Sequence, residues 1–153
     1  MARMTKCGIF VGLLGGMLGV WSIGTENDAA AAQRAGVVVT RIFTGPDGQT
    51  HAEDTSLTLR PGGAFTEVSD MVKASGVQFR RQEPHYFEDW HTAPRKQYVV
   101  TLSGRGEIEL ADGKKIPLGP GRILLAEDLT GKGHISRGVG SEERISLVIP
   151  VAE

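Results

Sequence analysis

From residue 36 onward the chain is broken again and again by glycine and proline. The segments between breaks are short and apolar or alternating: "QYVVTLSG" (Gln97–Gly104), "RGEIELADG" (Arg105–Gly113), "KKIPLGPG" (Lys114–Gly121), "RILLA" (Arg122–Ala126) and "RISLVIPV" (Arg144–Val151). A helix needs a 3.6-residue apolar period sustained over ten or more residues, and Gly and Pro weaken its interior. A strand needs only four to eight residues between turns. No long amphipathic helical pattern follows residue 35, so the chain is expected to be all-β, with about nine short strands closed into a sandwich or barrel.

The first strand is expected within Ala35–Gly45, ending in a Pro46-Asp47-Gly48 turn. Further strands are expected in Thr55–Gly63, Ala64–Val72 and Gly76–Gln82, with Val77, Phe79 and Arg81 alternating against Gln78, Arg80 and Gln82. The stretch "EPHYFEDWHTAPRK" (Glu83–Lys96) has no period and reads as irregular. In the next strand, alternation puts Gln97, Val99 and Thr101 on one face and Tyr98, Val100 and Leu102 on the other.

The N-terminus is a separate object. Arg3 and Lys6 precede an uncharged apolar run, Cys7–Ile23, and an alanine tract at Ala29–Ala32. That order fits a cleavable signal peptide over residues 1–32, leaving one domain over 33–153 and a periplasmic or secreted location. The alternative is an uncleaved anchor, but the run is rich in glycine and short of the roughly 20 residues a span needs. Cleavage would remove Cys7, the only cysteine among 153 residues. A disulfide, a thiol nucleophile and a thiolate metal site would all go with it. The net charge of −1 gives no reason to expect nucleic acid or an anionic surface as a partner.

One pattern is more specific. His91, Ala93, Gln97 and Gly104 stand as His-x-Ala-x3-Gln-x6-Gly, followed by Gly119-x-Gly121, an apolar strand and a late His134. This resembles the cupin family, small jelly-roll barrels. "WHTAPRKQY" and "EDLTGKGH" are similar to runs in short bacterial cupin-domain proteins, and the resemblance spans roughly residues 75 to 149. It implies a single jelly-roll barrel that often forms homodimers, here with "RISLVIPV" pairing across subunits. In metal-binding cupins three His and one Glu hold a divalent ion. Here Ala93 stands in place of the second His and Gln97 in place of the Glu. The resemblance therefore implies at most a weak divalent metal site built from His91, Gln97 and His134, since an amide is a neutral ligand.

The remaining candidates follow from residue chemistry. His91 and His134 suit general acid–base work. Glu127 and Asp128 are neighbours after an apolar strand, so one should point inward and the other out. Glu127 is expected as the catalytic acid or base and Asp128 as a substrate contact. Arg95 and Arg80 are candidate clamps for a carboxylate, Gln97 a substrate hydrogen-bonding group, and Trp90 a pocket wall. His85 is a further possible ligand if its loop folds inward. The chain is expected to bind a small organic molecule, with no nucleic-acid partner and no membrane contact after cleavage. The chemistry would be of lyase or isomerase type. Binding or sensing without turnover is the alternative, and a purely structural network a third.

Overall fold

A computed structural model describes residues 36–152, and the expected signal peptide lies outside them. The described residues form twelve strands and no helix. These are β1 (Val38–Thr44), β2 (Thr50–Ser56), β3 (Arg60–Gly63), β4 (Thr66–Val68), β5 (Gln78–Gln82) and β6 (Phe87–His91). They continue as β7 (Gln97–Ser103), β8 (Gly106–Glu109), β9 (Lys115–Leu118), β10 (Ile123–Glu127), β11 (His134–Gly138) and β12 (Arg144–Pro150). A six-stranded sheet runs β2-β1-β10-β7-β12-β5, and a four-stranded sheet runs β6-β11-β8-β9. β1 pairs with β10 in parallel, so the larger sheet is mixed. β3 and β4 form a separate hairpin. The architecture is all-β, two facing sheets with no helix among the described residues.

The core lies between the two sheets. Ile42, Val99, Leu124, Ala126 and Val148 face it from the larger sheet, and Ile108, Ile116 and Leu118 from the smaller. Ile42 is 0% exposed and Ile108 2%. Each such side chain contributes about 1.5–3 kcal/mol by leaving water.

β7 forms as its sequence dictates. Tyr, Val, Val, Thr and Leu all favour a pleated strand, and Gln97, Val99 and Thr101 are buried in alternation. It ends at Gly104, whose φ is +68°. A Cβ there would lie 2.3 Å from the Glu143 carbonyl oxygen, so only glycine fits the turn.

Three expectations change. β2 covers Thr50–Ser56 and β3 covers Arg60–Gly63, in place of the single strand expected over Thr55–Gly63. β12 is hydrogen-bonded on both sides, to β7 and to β5, so its edge is not free to pair with another subunit. A strand also occupies Phe87–His91, inside the stretch expected to be irregular. β6 shows no burial alternation because a register shift interrupts its pairing with β11 between His134 and Ser136. The shift inserts one extra residue on β6, a bulge that re-aims the side chains around it.

Candidate functional site

A cavity of about 550 Å³ opens between the sheets. Its apolar floor includes Val99, Ile108, Leu118, Leu124 and Val148. The polar groups that converge on it come from β5, β6, β7, β11 and β12.

His91 and His134 are directly opposed across the β6·β11 ladder. Their rings stand 4.5 Å apart between centroids, tilted by 55°. Gly133 makes this approach possible. Its φ is +75°, and a Cβ would sit 2.0 Å from the His91 carbonyl oxygen. No other residue fits there without moving β6 away from β11.

Each imidazole is held by its Nδ1. In His134, Nδ1 lies 2.6 Å from Asp128 Oδ2. In His91, Nδ1 lies 2.7 Å from the Asp89 carbonyl oxygen, which only accepts, so that nitrogen carries the proton. Both rings line the cavity. With Nδ1 engaged, Nε2 is the atom left to face a ligand. The His91 Nε2 also lies 3.6 Å from the half-exposed Glu88 carboxylate.

Asp128 is the inward acid. It is 0% exposed, and its Oδ2 also accepts from Thr50 Oγ1 at 3.1 Å. Oδ1 has no partner among the described residues. The Asp128 backbone carbonyl takes the Ala93 N–H, tying the loop after β6 to the end of β10. Asp128 reaches the site through His134, since it does not itself line the cavity.

Glu127 points the other way. Its carboxylate pairs with Arg41 and Lys96 and does not line the cavity. Burial alone would raise the Glu127 carboxyl, but hydrogen bonds from Lys96 and Arg41 outweigh that and hold it below the ordinary carboxylate range. The expectation that Glu127 would be the inward acid is therefore reversed. Alternation correctly separates the two acids, but the pairing of β10 with β1 and β7 decides which of them faces in.

Gln97 is 7% exposed and lines the cavity, as do Arg80 and Arg95, the latter exposed at the rim. Trp90 does not line it. That indole carries Lys132 over its face at 4.0 Å on the outside. His85 is exposed and also lies outside the lining. Its φ of +61° follows Pro84 in a turn closed by Tyr86 N–H to the Glu83 carbonyl, and this turn delivers Tyr86 to the cavity wall.

The sequence reading missed Arg144. It is 2% exposed and lines the cavity from the start of β12. In the sequence it stands after Ser141-Glu142-Glu143, where it reads as one more surface charge. Only its place at the head of a strand with Ser146 and Val148 on the same inward face could have marked it.

A metal was tested against these donors. The described residues contain no group of three or more His, Cys, Asp or Glu placed to hold an ion. The expected set, His91, Gln97 and His134, is two imidazoles and one amide; the Asp128 carboxylate is taken up behind His134, and the Glu88 carboxylate beside His91 is half-exposed. That set does not suit a resident divalent ion.

No family model and no curated protein matches the chain. Solved structures do. One is a conserved Streptococcus pyogenes protein of unknown function, 16% identical, covering 56% of this chain and 71% of that one, with a TM-score of 0.40. Another is a Salmonella typhimurium LT2 protein ascribed to ethanolamine utilization (protein Q), 14% identical, covering 74% and 95%, with a TM-score of 0.38. The class defined by fold and site is an all-β double-sheet protein with a polar cavity between its sheets. The chemistry of that cavity rests on its own residues.

Proposed function

We propose that this chain is a secreted cupin-type barrel that binds a small organic molecule and moves a proton on it, as a lyase or isomerase does. The observation that carries the reading is the His91–His134 pair: two rings 4.5 Å apart, each tethered through Nδ1, at the wall of one cavity. Asp128 orients His134 and balances the positive charge that forms when its Nε2 accepts a proton. His91, tethered through Nδ1–H to a carbonyl and closer to solvent, acts as the imidazolium: its Nε2–H gives a proton to the substrate as His134 Nε2 takes one, and exchange with solvent restores both rings. Gln97 orients the bound molecule by hydrogen bonding. No step uses a metal.

The test is exchange of substrate protons with solvent. The protein is incubated in D2O with small oxo acids and aldoses, and loss of the C–H signal beside the carbonyl is followed by NMR. Wild type is expected to catalyse exchange on at least one of them. His91→Ala and His134→Ala are expected to fold normally and lose about a hundredfold or more of that rate. Full exchange in both variants refutes the reading. Ala93 and Gln97, where a metal-binding barrel would carry ligands, favour a second reading of binding without turnover. On that reading a panel member shifts the cavity resonances but exchanges no proton. Elemental analysis of the purified protein tests the metal directly.

A further inference from the structure

Arg144 is a buried cation with no buried anion. Thr101 Oγ1 accepts from its Nε at 3.2 Å and its Nη2 at 2.8 Å. Gln82 Oε1 accepts from Nη1 at 2.9 Å, and the Tyr86 hydroxyl lies 3.4 Å from the same nitrogen. All three partners are neutral. Charged side chains are rarely buried without a counter-charge, because desolvation is costly. Burial pushes the Arg144 guanidinium below the ordinary arginine value, and nearby Arg80 pushes in the same direction, against Tyr86 and the more distant Glu88, which only partly offset them.

Arg80 is the second cation on this wall. In the β5·β12 ladder Gln82 stands opposite Arg144, and Arg80 opposite Ser146. Arg80 and Arg144 are thus diagonal neighbours, and both line the cavity. The Nε of Arg80 is buried and has no hydrogen-bond partner among the described residues, and neither has the buried Ser146 hydroxyl. Glu88 and Asp89 also line the cavity. Neither hydrogen-bonds Arg144. The Glu88 side chain is 51% exposed and faces His91, and Asp89 Oδ1 accepts the Trp90 N–H at 2.8 Å.

The donors can be counted. A guanidinium has five N–H groups. On Arg144 four of them are directed at Thr101, Gln82 and Tyr86, which leaves one on Nη2. The Nε–H of Arg80 is the other. Two cationic donors on diagonal neighbours lining one cavity can serve the two oxygens of one carboxylate. We infer that Arg144 and Arg80 form the receptor for the carboxylate of a small organic acid, whose reacting carbon then faces His91 and His134. This rests on the cavity-binding reading above and specifies its ligand class. A cavity of about 550 Å³ takes such a molecule whole.

The test is a titration of the full chain, labelled with 15N-arginine, with butyrate, lactate, butyramide and inorganic phosphate as probes. The expected result is saturable movement of the Arg144 and Arg80 Nε resonances with butyrate and lactate and none with butyramide. Arg144→Gln is expected to abolish binding. Arg80→Gln, at a partly exposed position that leaves the fold intact, is expected to weaken it at least tenfold. Equal binding of butyramide, undiminished binding by Arg80→Gln, or saturation by phosphate without saturation by the carboxylates overturns the inference. The two readings fail separately. Carboxylate binding that survives in His91→Ala, in a protein that exchanges no substrate proton, leaves the receptor standing and removes the proton transfer. Exchange that survives undiminished in Arg80→Gln does the opposite.

Discussion

Asp128→Asn isolates the contact that orients His134. The two side chains have the same shape, so the change opens no cavity. What changes is a charge-assisted hydrogen bond of 2.6 Å to His134 Nδ1, made at a carboxylate that is 0% exposed. An asparagine keeps one acceptor oxygen. If that oxygen serves His134 and Thr50, its NH2 group falls where Oδ1 now stands, and Oδ1 has no partner among the described residues. Two amide hydrogens are then buried without acceptors. If the amide flips, both Thr50 and His134 lose their acceptor. Either way the cost is that of a hydrogen bond to a charged group or of a buried unsatisfied donor, about 1.5–3 kcal/mol. At roughly 2.1 cal/mol/K of unfolding entropy per residue, a domain the size of residues 36–152 loses about 4 °C in Tm per kcal/mol. The expected drop is therefore about 6–12 °C, read by calorimetry or circular dichroism. Long-range 1H–15N NMR should also show the His134 proton no longer confined to Nδ1. An unchanged Tm together with an unchanged His134 tautomer would refute the account of Asp128 as its anchor.

Other perturbations separate the cavity from the surface around it. Gly133→Ala combines a φ of +75° with a Cβ placed 2.0 Å from the His91 carbonyl oxygen. It should cost more than about 2 kcal/mol in denaturant melts and separate the His91 and His134 rings. Glu127→Gln should cost about 1 kcal/mol at pH 7, since it removes an anion shared by Arg41 and Lys96, both partly exposed. The Glu127 carboxyl is depressed in the folded state, so its contribution is present above the ordinary value of 4.5 and is lost as pH falls below it. The wild-type and Glu127→Gln stability curves should therefore converge in acid, and a gap that stays constant from pH 7 to pH 3 would contradict the pairing. Trp90→Leu removes the Lys132 contact outside the cavity and should cost no more than about 1 kcal/mol while leaving ligand titrations unchanged.

Several of these features are legible in the sequence. Gly- and Pro-punctuated apolar runs allow strands and little else, and β7 to β10 and β12 fall in segments expected to be strands. Period-2 alternation correctly groups Gln97, Val99 and Thr101 on the buried face. β6 is not legible, because "FEDWH" is bulged, has one face open and the other on a polar cavity, and so carries no apolar period. Glu127 and Asp128 show the limit of local pattern. Alternation says the two acids diverge, but the direction of the turn depends on how β10 seats between β1 and β7.

Arg144 shows the same limit more strongly. One basic residue after two glutamates looks like any other surface charge until β12 is placed between β7 and β5. Residue chemistry and period by themselves determined the all-β class and most strand positions, and the resemblance to the cupin motif marked His91 and His134 as the side chains to watch. Strand pairing determined the rest. It set the two imidazoles beside each other, put Asp128 rather than Glu127 behind one of them, and turned Arg144 and Arg80 onto a shared wall. Those relations join residues far apart in the chain, and only the register between strands specifies them.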